Sequence, residues 1–92
     1  MFARWLRKLA DRQAKAKILV TIQRMEQGHF GDTKHVGPGV METRINTGPG
    51  YRLYYTRRGA VLVILLAGGD KSTQARDIAR AVKTAAELKE TR

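Results

Sequence analysis

Arg44, Arg52 and Lys71, with Tyr54 among them, are the residues whose types and spacing could do chemistry together. Guanidinium forks grip phosphates, an aromatic ring can stack on a base, and a cation near a scissile phosphate can offset charge developing on a pentavalent phosphorane. Glu42 stands two residues before Arg44 and could serve as a base for a ribose 2′-hydroxyl or as an ordinary ion-pair partner. His29 and His35 flank Gly31 and Asp32, where an imidazole could act as acid or base or simply face water. The segment Gly68-Gly69-Asp70-Lys71-Ser72-Thr73 has the glycines and following helix of a phosphate-binding turn. Asp70 before the lysine breaks the Walker A spacing, so nucleotide hydrolysis has no support. Asp70, Ser72 or Thr73 reads equally well as the cap of that helix.

Strand alternation is what groups these residues. In residues 40 to 46, Met41, Thr43 and Ile45 share one side, opposite Glu42, Arg44 and Asn46. In residues 51 to 57, Tyr51, Leu53 and Tyr55 oppose Arg52, Tyr54 and Thr56. If the apolar sets share a single-sided core, Arg44 and Arg52 must share the other face. The competing reading is a solvated face on which Arg44 pairs with Glu42 or another acid.

The elements that carry these positions follow from periodicity. Phe2, Trp5, Leu6 and Leu9 recur at helical spacing, so Met1 to Ala10 reads as a short amphipathic helix and not a targeting peptide. Asp11 is a plausible N-cap for a helix over residues 12 to 27, with the stripe Ala14, Ile18, Ile22 and Met25, ended by Gly28. Residues 28 to 39 read as a loop over one sheet face. Strands at 40 to 46, 51 to 57 and 61 to 67 form an antiparallel meander through turns at Gly48-Pro49-Gly50 and Arg58-Gly59. The third is apolar on both faces, which predicts a covered strand inside the sheet. A helix over residues 73 to 89 carries Ala75, Ile78, Val82 and Ala85, with Arg76, Arg80 and Lys83 on a different stripe.

This is one α+β domain spanning residues 1–92, two helices followed by a three-strand meander and a last helix. The 18 Lys and Arg against 8 Asp and Glu leave a net charge of +10, so a polyanion or an acidic protein is the natural partner. The absence of cysteine excludes disulfides, Cys-ligated zinc and thiol catalysis, and fits the cytoplasm. The longest apolar run, Val61 to Ala67, is far too short to cross a bilayer.

Three ordered stretches carry a resemblance over nearly the whole chain. They are Gly31-Asp32-x-Lys34-x-Val36-Gly37-x-Gly39-Val40-x-Glu42-x-Arg44-Ile45, Gly48-Pro49-Gly50-Tyr51-Arg52-x-Tyr54-Tyr55, and Leu65-Leu66-x-Gly68-Gly69-Asp70-Lys71-x-Thr73-Gln74. The sequence resembles the addiction-module killer proteins of the RelE/ParE superfamily, in their HigB-like branch. The resemblance implies the toxin of a type II toxin–antitoxin system, neutralised by a cognate antitoxin. It further implies a ribosome-dependent mRNA endonuclease that inhibits translation by 2′-hydroxyl attack on the adjacent phosphate, with no metal or cofactor. Arg44, Arg52 and Lys71 match the catalytic positions of the RelE-type site; Tyr54, Lys34, Thr73 and Glu42 are the expected substrate-binding residues. Relatives carry about ten more residues at the start, a strand's length. Here Met1 falls inside the first helix, so the expected sheet lacks that N-terminal strand. RelE-type sites also have a tyrosine where Arg76, Asp77 and Ile78 stand here, and a basic residue at the Glu42 position. The resemblance therefore leaves two alternatives beside mRNA cleavage: a non-catalytic DNA gyrase inhibitor of the ParE type, and an inactive antitoxin-binding remnant.

Overall fold

A computed structural model describes residues 2–59 and 62–90. The elements are α1 (Phe2–Lys8), α2 (Arg12–Glu26), β1 (Asp32–Gly37), β2 (Val40–Ile45), β3 (Tyr51–Arg58), β4 (Leu62–Asp70), a single 3-10 turn (Lys71–Thr73) and α3 (Gln74–Glu90). Met1 and Val61, expected in the first helix and at the start of the third strand, lie outside the described residues.

Local chemistry sets the ends of α2. The Asp11 carboxylate accepts from the Ala14 amide at 3.0 Å, satisfying one of the helix's unpaired first-turn donors. At the other end Gly28 takes φ +89° while its amide bonds to the Met25 carbonyl and that of His29 to Arg24. This left-handed cap favours glycine because a Cβ would meet the following carbonyl.

The sheet has four antiparallel strands in the order β1-β2-β3-β4, not the expected three. The added strand comes from the segment expected to be a loop over the sheet. Asp32 to Gly37 instead lies in the sheet plane, beside β2, with Asp32 opposite Arg44 and Lys34 opposite Glu42. Its residues have little intrinsic preference for a strand; pairing to β2 supplies it, as an extended ladder satisfies backbone donors and acceptors that a loop must give to water.

The core is two-sided, contrary to the single-sided expectation. On one face α1 and α2 bring Trp5, Leu6, Ala14, Ile18 and Met25 against Ile45, Tyr51, Leu53 and Tyr55. On the other, α3 brings Ile78, Ala81, Val82 and Ala85 against Val40, Tyr54, Leu66 and Ala67. Ala75 is exposed; Ala81 holds the fully buried position on that helix. This explains β4, which is an edge strand and not an inner one. Leu66 and Ala67 are buried because helices lie over both faces, which does not require a strand on each side, while Val63 to Leu65 are half-buried and Leu62 is exposed.

Gly68 and Gly69 belong to β4 and not to a turn. A Cβ on Gly68 would fall inside the Trp5 ring, and one on Gly69 would collide with the Asp77 carboxylate. These glycines let α1 and α3 approach opposite faces of one strand. They do not line a phosphate loop.

Candidate functional site

The β2–β3 register sets Arg44 directly opposite Arg52 and Glu42 directly opposite Tyr54. Like charges facing across a ladder destabilise it unless each finds a counter-ion. The two arginines divide the neighbouring acids. Arg44 Nε donates to Asp32 Oδ2 at 3.1 Å in an exposed pair. Arg52 Nε lies 3.6 Å from Glu42 Oε2, with side-chain exposures of 9% and 0%. Of the two sequence readings for Arg44, the acid it meets is Asp32.

Arg52 reaches toward the turn that ends the β2–β3 hairpin. Its Nη1 donates to the Gly50 carbonyl at 3.0 Å. A Cβ placed on Gly50 would lie 3.5 Å from that Nη1 and 3.7 Å from Lys71 Cβ, so the guanidinium and the exposed lysine converge on one turn. Arg52 and Lys71 thus meet at the end of the sheet where β4 passes into α3, and Arg44 stands one strand away, turned to Asp32. Asp70 caps the 3-10 turn there, its carboxylate accepting from the Ser72 amide at 2.8 Å. The Ser72 hydroxyl and amide hold that carboxyl below its ordinary range.

Four expected substrate contacts are placed differently from one another. Lys34 is exposed on β1, in register with Glu42. Tyr54 and Glu42 are both fully buried beneath α3, a correction to the expectation that they meet substrate. That expectation assumed an open face, which α3 covers. The half-buried Thr73 donates its hydroxyl to Asp77 Oδ2 at 2.5 Å. His29 and His35 are exposed, and His35 lies on β1 in register with Met41.

Beneath α3 lies a buried polar cluster that sequence reasoning found only in part. Gln74 Nε2 donates to Glu42 Oε2 at 2.9 Å, and buried Asp77 packs against Gly69, the cross-strand neighbour of Arg52. Glu42 Oε1, Arg52 Nε and Tyr54 Oη close no hydrogen bond. Burial, and then the Glu42 charge, push the Tyr54 hydroxyl well above its ordinary value. Glu42 is therefore the counter-ion of Arg52 rather than an accessible base. Gln74, Asp77 and Asp32 were the residues missed. The signal for Asp77 was the adjacent glycine, an empty side-chain position that something must fill. Nothing local marked Asp32, because its role depends on β1 pairing.

Among the described residues no three His, Asp or Glu side chains converge to hold a metal, and no helix is long and apolar enough to cross a membrane.

The model of one family, described as "Phage derived protein Gp49-like (DUF891)", matches residues 4–90. A protein of Haemophilus influenzae, described as uncharacterized, is 53% identical over 87 residues, covering 95% of this chain and 88% of its own length. No solved structure matches the chain.

Proposed function

The chain belongs to the phage-derived Gp49-like family, which is associated with toxin–antitoxin systems and related to the RelE/ParE-like toxins, and from that premise we propose that it is the toxin of a type II pair. The finer reading is a HigB-like, RelE/ParE-fold, ribosome-dependent mRNA endonuclease acting in the cytoplasm and neutralised by a cognate antitoxin. The observation that carries it is the convergence of Arg52 and Lys71 on Gly50, with Arg44 directly across the ladder from Arg52.

Three cations at one sheet end match a phosphate that gains charge during reaction. Exposed Arg44 offers its fork to the phosphate backbone, Lys71 faces the developing charge, and Lys34 extends the basic rim along β1. Arg52, fixed by Gly50 and Glu42, supplies positive potential at a set position; preorganised charge of this kind needs no rearrangement when the phosphorane forms. The 2′-hydroxyl attacks phosphorus, the P–O5′ bond breaks with its electron pair going to the 5′-oxygen, that oxygen takes a proton from water, and a 2′,3′-cyclic phosphate remains. With Glu42 buried, Asp32 is the exposed carboxylate within the cluster able to accept the 2′-hydroxyl proton.

The test is induced expression of the chain and of Arg44→Ala and Lys71→Ala variants, with mapping of mRNA 5′ ends. Both residues are exposed, so the variants should fold. In-frame cuts within translated regions, lost in the variants, are expected. Full toxicity in both variants would remove the assigned site. Toxicity with intact mRNA and impaired supercoiling would replace cleavage by gyrase inhibition, and absence of any growth effect would leave an antitoxin-binding remnant.

A further inference from the structure

Gln74 is the first residue of α3, and its half-buried side chain reaches back to the ion pair beneath that helix. Its Nε2 donates to Glu42 Oε2 at 2.9 Å, the same carboxylate oxygen that lies 3.6 Å from Arg52 Nε. A carboxylate only accepts, so the amide nitrogen, and not its oxygen, must face Glu42. Among the described residues this is the one hydrogen bond closed on that carboxylate. Its Oε1 has none, and neither Arg52 Nε nor the Tyr54 hydroxyl closes one.

The contacts form a ring. Arg52 Nη1 donates to the Gly50 carbonyl, and a Cβ placed on Gly50 would lie 3.7 Å from Lys71 Cβ. Lys71 opens the single 3-10 turn and Gln74 directly follows it, so one turn of backbone joins the lysine to the amide. From Gln74 the path returns through Glu42 to Arg52. Two cations are thereby kept at one hairpin turn although like charges repel. Asp70 also offsets the Arg52 charge, but its carboxylate is engaged by the Ser72 amide and hydroxyl. The residue type at position 74 fits this arrangement. A carboxylate there would repel Glu42, and a lysine would compete with Arg52 for it. A neutral amide satisfies the oxygen and leaves the charge to the arginine.

We propose that Gln74 is a positioning residue: acting through Glu42, it fixes the Arg52 guanidinium relative to Lys71, so that both cations address one phosphate. The proposal rests on the reading of Arg52 and Lys71 as a phosphate site, while the placement of Arg52 depends only on the ring. Gln74 acts on substrate through Arg52 and not by touching it.

The test uses the whole chain and a dinucleotide, thymidylyl-(3′→5′)-thymidine, which lacks the 2′-hydroxyl and is not cleaved. NMR follows the Arg52 Nε–H and Lys71 Nζ resonances. In the unsubstituted chain both should move along one binding curve. Gln74→Met keeps the side chain's length and removes the donor. It should shift the Arg52 Nε–H resonance before any dinucleotide is added and weaken binding by about tenfold or more. Exchanging the partners, Glu42→Gln with Gln74→Glu, restores an amide–carboxylate bond and should recover most of that binding, which Glu42→Gln alone should not. Thr33→Val is the control for general loosening. It removes a 2.7 Å bond to the Tyr55 hydroxyl, on the sheet face packed against α2, and should lower the melting temperature without altering Arg52 or binding. An Arg52 resonance unmoved by Gln74→Met overturns the proposal, as does equal weakening by Thr33→Val. An exchanged pair that folds without recovering binding overturns it as well. An unsubstituted chain that ignores the dinucleotide removes the phosphate site, while the Arg52 resonance in Gln74→Met still decides whether Gln74 places the guanidinium, so the two failures are told apart.

Discussion

Replacing Glu42 by Gln tests how the site is built, because it removes one charge from the pair beneath α3 while keeping the side chain's shape. Glu42 has no exposure and the Arg52 side chain 9%, so the arginine left behind is poorly hydrated. Breaking one partner of a buried pair costs about 3–5 kcal/mol. The lower end, about 3 kcal/mol, applies here because Arg52 keeps its bond to the Gly50 carbonyl. For a domain of this size that lowers the melting temperature by about 12–24 °C. Replacing both residues with apolar ones, Glu42→Leu with Arg52→Met, should cost far less than the sum of the single changes, since no uncompensated charge remains. The assay is urea unfolding of Glu42→Gln and of the four proteins of the cycle: the unsubstituted chain, Glu42→Leu, Arg52→Met and the double variant. The same cycle on the exposed Arg44–Asp32 pair, whose side chains are 42% and 53% exposed, should give a coupling of about 0–1 kcal/mol. Additive single costs at Glu42 and Arg52, within about 0.5 kcal/mol, would refute the claim that the two form a coupled buried pair.

Three further perturbations address the same arrangement. Gly68→Ala places a methyl group in the Trp5 ring, so it should lower stability by about 1–3 kcal/mol and shift Trp5 emission to longer wavelength; an unchanged spectrum would show that α1 does not rest on that strand. Tyr54→Phe removes a buried hydroxyl that faces the Glu42 carboxylate without closing a well-aligned hydrogen bond, and stability at neutral pH should change by no more than about 1 kcal/mol. Because the native protein holds the Tyr54 proton more tightly than the unfolded chain, its contribution is complete below the ordinary value of 10.0 and is lost as pH rises above it. The variant should therefore show a shallower alkaline decline, with the part due to the raised Tyr51 remaining; identical alkaline curves would contradict this. Ser72→Ala removes the first cause of the lowered Asp70 carboxyl, whose contribution is present above its ordinary 3.8 and lost as pH falls. Its midpoint, followed by carboxyl-carbon NMR, should move up toward that value; an unmoved midpoint would show that the Ser72 hydroxyl does not set it.

Local rules alone determined much of this protein. Asp11 and Gly28 mark the two ends of α2 because capping needs only neighbouring residues, and the stripes of α1 and α2 select their buried faces without reference to the rest of the fold. That Arg44 and Arg52 share one face was legible for a similar reason, the strand period of two; that they stand directly opposite each other came from the structure. Tertiary structure decided what those positions experience. No local pattern says that Asp32 to Gly37 becomes a strand, since its pairing energy resides in β2, or that α3 returns to bury Glu42 and Tyr54 while leaving Arg44 and Lys71 exposed. The same alternation serves an open face or a covered one. Only the arrival of a distant helix, admitted by the missing side chain of Gly69, distinguishes a buried counter-ion from an exposed base.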